Sequence, residues 1–137
     1  MAGLGTLQRV RQPLRDRALP RLLPQPIRST VAMFTIGMLM KVKPGCYPEY
    51  KKAHDELWPA IAKSMSDNQV SMQIFLYRDQ LFLHAMAPTE ADWDQSRQHP
   101  ELKRWHDYMA TLLQADEKGV IIFEELEKAF TFGDFRD

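Results

Sequence analysis

The fold is decided by residues 47–65, which read YPEYKKAHDELWPAIAKSM. Their apolar side chains recur mostly three or four positions apart, as on the buried face of an amphipathic helix. They are Tyr50, Ala53, Leu57, Trp58, Ile61 and Met65. Pro48 suits the first turn of such a helix, whereas Pro59 is expected to kink it, because proline has no N–H to donate.

His54 interrupts the apolar side of this helix. Tyr50, His54 and Trp58 are spaced four residues apart, so a phenol, an imidazole and an indole share one side of the helix. Spacing alone leaves two interpretations of His54 open. It is either a hydrogen-bonded residue of the core, which is the more common case, or the acid–base group of a site.

Length and composition exclude several classes of protein. The chain has 137 residues, enough for one ordinary domain, with 45% hydrophobic and 26% charged residues. No apolar run approaches the length that spans a bilayer, and 18 basic residues balance 18 acidic ones, which argues against a broad nucleic-acid surface. The single cysteine, Cys46, excludes an internal disulfide, fits a reducing compartment and is interpreted as a spectator rather than a nucleophile.

Residues 1–32 differ from the rest of the chain. They contain six arginines, one acidic residue and four prolines. The prolines prevent a long helix, so we separate this basic leader from a folded domain predicted for residues 33–137. The leader is either a mitochondrial transit peptide, a class rich in arginine and poor in acids, or an upstream extension that is disordered or not part of the protein, with Met33 as the working start. The prolines favour the second explanation, and with it a cytoplasmic location.

Downstream of Met33, strand and helix patterns alternate. The strand predictions cover residues 34–42, 70–77, 81–87 and, at the end, 126–132 or alternatively 120–123. The helix predictions cover a first helix that starts at residue 47 and ends near Asp67 and Asn68, then residues 90–98, and a further segment that starts at Pro100. The short connection between the second and third strands makes them an antiparallel hairpin. This β-α-β-β-α-β order predicts an α+β, ferredoxin-like antiparallel sheet with both helical regions on one face.

The predicted strands are apolar on both sides. The sheet face without helices would therefore expose apolar surface to water, which is unfavourable. Burial of such surface stabilises by roughly 25 cal/mol per Å². We therefore expect a symmetric homodimer in which the two sheets face each other or close into a barrel. The second arrangement is called a dimeric α/β barrel.

Common motifs for phosphate, dinucleotide and zinc sites (GxGxxG, HExxH, CxxC) are absent from the sequence. Of the four histidines, His99 and His106 are seven residues apart on or near one helix, which is a weak metal signal. Structural or solvated histidines are the more common explanation, so no metal site is predicted.

A family resemblance rests on three segments: residues 37–61 (GMLMKVKPGCYPEYKKAHDELWPAI), 74–86 (IFLYRDQLFLHAM) and 103–109 (KRWHDYM). The most specific piece is Y-x-x-x-H-x-x-x-W-P, here Tyr50, His54, Trp58 and Pro59, and the second is the aromatic segment around Trp105. Together they resemble the L-rhamnose mutarotase family over nearly all of residues 33–132. Members of that family form dimers with a ferredoxin-like fold.

The resemblance implies an isomerase that interconverts the α and β anomers of a 6-deoxyhexose or a related monosaccharide, without cofactor or metal. The histidine matching His54 is the family's proton donor, the tyrosine matching Tyr50 contacts sugar, and Trp105 matches an aromatic contact. Trp58, from the same motif as His54, joins the candidate substrate-binding residues. An imidazole suits this reaction, since its ordinary pKa of about 6.5 lies near the working pH.

Two positions depart from the family pattern. The family usually has a second tryptophan where this chain has His106, and a tyrosine where this chain has Met72. Both positions contact sugar in family members, so both residues are kept as candidate substrate-binding residues in an altered pocket. His106 itself is either a solvated helix residue or a second acid–base group.

Two other classes of function fit the same fold and size. One is a cofactor-independent oxygenase or a haem-binding member of the dimeric α/β-barrel group, because fold does not fix function. The other is a non-catalytic sugar-binding domain, if the changes at Met72 and His106 have removed turnover.

Overall fold

The computed structural model describes residues 32–135, and the predicted leader, apart from Ala32, lies outside them. Within this range the strands are β1 (Phe34–Lys41), β2 (Ser71–Tyr77), β3 (Gln80–Ala87) and β4 (Phe123–Glu125). The helices are α1 (Tyr47–Asp55), α2 (Pro59–Asp67), α3 (Glu90–Ser96) and α4 (Pro100–Met109), and a short 3₁₀ helix covers Gly133–Phe135.

The four strands form one sheet in the order β2-β3-β1-β4, and every neighbouring pair is antiparallel. This arrangement confirms the α+β, ferredoxin-like prediction. Strand β3 shows how the two faces differ. Leu81, Leu83 and Ala85 are buried in the core, whereas Phe82 and His84 alternate with them and point to the opposite face.

The helices contribute the other half of the core. Apolar positions of α4, among them Leu102, Trp105 and Met109, are buried. They pack in one cluster with Tyr50 of α1 and Ile61 of α2. No helix within residues 32–135 is long and apolar enough to cross a membrane.

The helix predicted to start at residue 47 is interrupted at Pro59, not merely kinked. α1 ends at Asp55 and α2 begins at Pro59, with Trp58 in an extended conformation just before it (φ −58°, ψ 132°). The proline ring disfavours the helical conformation of the residue that precedes it. Pro59 then suits the first turn of a new helix, where its missing N–H is not needed.

The final strand was predicted at residues 126–132, and this assignment is wrong because the observed strand lies just before them. β4 covers Phe123–Glu125, and Phe123 pairs with Met40 of β1. The alternative prediction, residues 120–123, overlaps β4 only at Phe123. Pairing with the exposed edge of β1 decides the position of this strand, and such long-range pairing has no local signal.

The segment after β4 leaves the edge of the sheet. The Leu126 N–H still donates to the Gly37 carbonyl of β1 at 2.8 Å, but no strand follows within the described residues. Phe130 and Phe132, whose spacing suggested a strand, are 82% and 79% exposed. Their apolar character therefore belongs to a surface and not to the core.

Candidate active site

A cavity of about 610 Å³ lies between the core face of the sheet and the helices. Its volume is within the range of about 300–1,000 Å³ that is typical of small-molecule sites. Much of the wall is apolar, with Met38, Met72 and Leu83 contributed by the sheet. Polar groups reach the cavity from α1, from the end of α3 and from α4: Tyr50, His54, Arg97 and His106.

His54 presents one ring nitrogen for chemistry. Its Nδ1 lies 2.9 Å from the carbonyl oxygen of Tyr50, one helical turn earlier. A carbonyl can only accept, so Nδ1 carries the proton of the neutral ring. Nε2 then bears a lone pair and has no partner among residues 32–135, where no buried side-chain nitrogen or oxygen is left unpaired. Nε2 is therefore accessible, and His54 offers a base to the cavity.

Two aromatic rings hold the imidazole of His54 in position. The ring of Tyr50 is centred 4.2 Å away, and Trp105 makes an edge contact at 5.2 Å and 74°. Both partners are buried, with 4% and 6% of their surface exposed. Buried, closely packed neighbours favour one geometry of a reactive group, which is what positioning for catalysis requires.

The ionisation of these groups follows from their burial. Burial lowers the pKa of His54 below its usual value, and the hydrogen bond to Tyr50 opposes this only in part. The imidazole is therefore neutral at pH 7. Burial raises the pKa of Tyr50 well above its usual range, so its phenol keeps its proton and can donate a hydrogen bond to a ligand.

His106 is held by the opposite kind of contact. Its Nε2 lies 3.1 Å from a guanidinium nitrogen of Arg97, and since arginine can only donate, Nε2 accepts. Burial and the charge of Arg97 lower the pKa of His106. The neutral ring therefore carries its proton on Nδ1. His106 is half-buried in the cavity wall, which does not fit the interpretation as a solvated residue.

Sequence reasoning missed Arg97. This residue follows α3, and its guanidinium carbon lies 5.0 Å from the ring centre of Trp93. The available signal was the four-residue spacing of Trp93 and Arg97, which favours contact on one side of a helix. Burial lowers the pKa of Arg97, and within residues 32–135 no carboxylate forms an ion pair with it.

Five of the six predicted site residues line the cavity, and Trp58 does not. Its ring stacks on Tyr108 at 6.2 Å and meets the ring of Trp105 edge-on at 5.2 Å. The interruption before Pro59 has removed Trp58 from the row of Tyr50 and His54. Trp58 therefore supports the cavity wall from behind.

The weak metal signal has a structural explanation. Within residues 32–135 no group of three or more His, Cys, Asp or Glu side chains could hold a metal ion. Nδ1 of His99 accepts the Glu101 N–H at 3.0 Å and caps α4. His84 lies on the other face of the sheet, 3.3 Å from the amide of Gln73.

Comparisons with known proteins identify the family. The family model of L-rhamnose mutarotase matches residues 35–132. The L-rhamnose mutarotase of Burkholderia orbicola is 33% identical over 101 residues, which are 72% of this chain and 97% of that protein. The one from Mannheimia succiniciproducens is 28% identical over the same shares of the two chains.

A solved structure agrees with this match. The crystal structure of an L-rhamnose mutarotase from Formosa agariphila superposes with a TM-score of 0.62 at 26% identity, and the match covers 73% of this chain and 99% of that one. The sequence and structure matches together favour an isomerase over the oxygenase and haem-binding alternatives. This chain belongs to the L-rhamnose mutarotase family.

Proposed function

We propose that this chain interconverts the anomers of a 6-deoxyhexose or a related monosaccharide, with His54 as the acid–base group. One observation carries the proposal. The imidazole of His54 is tied to the Tyr50 carbonyl through Nδ1, while Nε2 is left accessible at the wall of a cavity large enough for a pyranose. No other described histidine combines these two features.

The reaction needs only a proton shuttle. Neutral Nε2 of His54 takes the proton of the anomeric hydroxyl, and the C1–O5 bond of the ring breaks as the C1 carbonyl forms. The imidazolium returns the proton to O5, and after rotation about C1–C2 the reverse steps close the ring on the other face. One imidazole can serve both oxygens because they share C1, and positioned acid–base catalysis contributes about 100- to 10,000-fold.

The remaining groups would hold the sugar. The protonated Tyr50 hydroxyl can donate to a sugar oxygen, and the indole of Trp105 can pack against the C–H face of the ring. Met72 offers a flexible apolar wall that can pack against the C–H groups of a sugar. His106 supplies an Nδ1–H donor and, unlike the second indole that is usual in the family, also has an Nε2 that can accept.

Saturation-transfer NMR on a panel of sugars, with L-rhamnose and L-fucose included, tests this function directly. Wild-type protein is expected to accelerate anomer exchange, and His54→Ala to return it to the uncatalysed rate. His84→Ala, on the other face of the sheet, is the matched control and should exchange like wild type. If His54→Ala also exchanges like wild type, the role of His54 is wrong. Sugar binding without any exchange would indicate a non-catalytic binding domain.

We further propose that two copies of the chain pair through the sheet face that the helices leave uncovered. Phe75 and Tyr77 of β2 are 56% and 58% exposed, and Phe130 and Phe132 are exposed beyond β4. Apolar patches of this kind are uncommon on monomers and mark interfaces. A second copy of the same surface covers them with twofold symmetry.

Light scattering at micromolar concentration tests the dimer. Wild type is expected to have twice the chain mass, and Phe75→Glu, which places a charge on the uncovered face, to be monomeric. Lys63→Glu, on the exposed side of α2, is the control and should remain dimeric. A monomeric wild type would contradict the proposal.

A cytoplasmic location is proposed from the lone, unpaired Cys46, which fits a reducing compartment. Mitochondria are the alternative if residues 1–32 act as a transit peptide. Cell fractionation separates the two locations, and mass spectrometry of the native N-terminus shows whether residues 1–32 are retained.

A further inference from the structure

Arg97 is a charged group of the cavity wall that anomer exchange does not use. Its surroundings are the face of Trp93 and the accepting Nε2 of His106, both of them uncharged. Removing a cation from water is costly unless an opposite charge compensates it. The described residues supply no such charge to Arg97.

The other charged side chains around the cavity already have partners. Asp55 pairs with Lys51 at 2.7 Å, and Asp107 pairs with Lys103 at 3.0 Å. All four are well exposed to solvent, where such pairs have little long-range effect. The positive charge of Arg97 is therefore the main uncompensated charge that the described residues present to a ligand in this cavity.

We propose that Arg97 and His106 form an anion-binding subsite, and that the sugar turned over in this cavity carries a carboxylate, as an aldohexuronate does. This inference rests on the proposed function, since the sugar would place C1 at His54 and its carboxylate at Arg97. Among the 6-deoxyhexoses and related monosaccharides of that function, it selects sugars whose C6 is a carboxylate, and the exchange chemistry at His54 is unchanged.

The chemistry of the two side chains favours a carboxylate. Arg97 gives one nitrogen to His106 and keeps its other N–H groups, whose planar arrangement matches the two oxygens of a carboxylate. The Nδ1–H of His106 is a second, uncharged donor. One positive charge and one neutral donor fit a monoanion better than a phosphate dianion. A tryptophan at position 106, as the family usually has, could not accept from Arg97, because indole only donates.

Binding of sugars that cannot exchange tests the subsite separately from catalysis. Methyl glycosides have no free anomeric hydroxyl, so calorimetry can compare those of D-galacturonate and D-glucuronate with those of D-galactose and D-glucose. Wild type is expected to bind at least one uronate about 10- to 100-fold more tightly than its neutral counterpart, as a charged hydrogen bond implies. Arg97→Gln should remove this preference. Arg78→Gln, the same change at an exposed turn between β2 and β3, should retain it.

Each outcome supports or overturns the anion-binding subsite at Arg97 and His106. Equal binding of acidic and neutral glycosides by wild type overturns the proposal, whether or not Arg97→Gln folds. If wild type binds the 6-phosphates of the neutral methyl glycosides more tightly than it binds the methyl uronates, the carboxylate assignment is overturned. His54→Ala should keep the uronate preference while losing exchange of the free uronate. Loss of exchange in His54→Ala without any uronate preference in wild type would leave the proposed function standing and remove only the anion subsite.

Discussion

The two histidines of the cavity wall have the same tautomer but leave opposite groups free. His54 donates through Nδ1 to a backbone carbonyl, so its Nε2 lone pair remains. His106 accepts at Nε2 from Arg97, so its Nδ1–H remains. The wall at α1 therefore offers a base, and the wall at α4 offers a donor beside a fixed positive charge.

In the proposed function, this difference separates reaction from recognition within one cavity. The partner of His54 is a carbonyl on its own helix, which fixes the ring without changing its charge. The partner of His106 is a cation on a neighbouring segment, which opposes protonation of that ring. A second histidine in an active site is thus not a second catalyst by default, since its hydrogen-bond partner decides what it can do.

Replacing each histidine by glutamine is the strongest test of this division. His54→Gln should lower kcat by about 100-fold or more, because an amide cannot take up the proton. His106→Gln should change kcat less than about tenfold and act mainly on KM, because its amide oxygen can still accept from Arg97. Steady-state NMR exchange rates at several sugar concentrations measure both. An equally large loss of kcat in both variants would break the comparison and make His106 a second acid–base group.

Trp105 joins the two regions, since it precedes His106 in sequence and contacts the ring of His54. Trp105→Ala should lower the free energy of unfolding by about 3–5 kcal/mol, as expected for a large buried side chain. Urea unfolding followed by circular dichroism measures the loss. Trp58→Ala, at a partly buried position outside the cavity, should cost less. If it costs more, Trp58 and not Trp105 is the main support of the wall.

The pH dependence of activity should reflect the titration of His54 alone. Since burial lowers the pKa of His54, kcat/KM should be constant at neutral pH and fall about tenfold per unit below a midpoint under 6.5. The charge of Lys51 lowers this pKa and that of Asp55 raises it. Lys51→Gln should therefore move the midpoint up, and Asp55→Asn should move it down, in NMR exchange measured from pH 5 to 8. Equal midpoints in both variants would assign the limb to another group.

Local periodicity predicted the contacts around His54 well. The contact between Tyr50 and His54 follows from a spacing of four residues on one helix, and the burial of Trp105 follows from the apolar stripe of α4. Both depend on the helical repeat alone. The same reasoning failed at Trp58, because the effect of Pro59 on the preceding residue ended the repeat.

The contacts around Arg97 could not be predicted in this way. Arg97 lies at the cavity because the end of α3 meets α4, and no local pattern encodes that meeting. Its hydrogen bond to His106 joins residues on different elements. The position of β4 has the same origin, since pairing with β1 selected Phe123–Glu125 over the more regular alternation that follows.

The smallest expected effect concerns stability and applies to both histidines together. In the folded chain burial lowers the pKa of His54 and of His106, whereas in the unfolded chain each has its usual value of about 6.5. Between these values the unfolded state binds more protons, so the free energy of unfolding falls as pH drops below about 6.5, until both folded rings are also protonated. Stability is retained at neutral pH, where both states are neutral.

Urea unfolding at pH 7.5 and 5.5 measures this decline in wild type and in three variants. His54→Gln and His106→Gln should each remove part of the decline, because glutamine does not titrate. The double variant should remove more than either, since the two rings lie on different helices and have different partners. If the decline is unchanged in the double variant, neither ring is held neutral by the fold. The assignment of His54 as a base would then be unsupported, because it depends on a neutral imidazole. The contrast between the two histidines would be unsupported for the same reason.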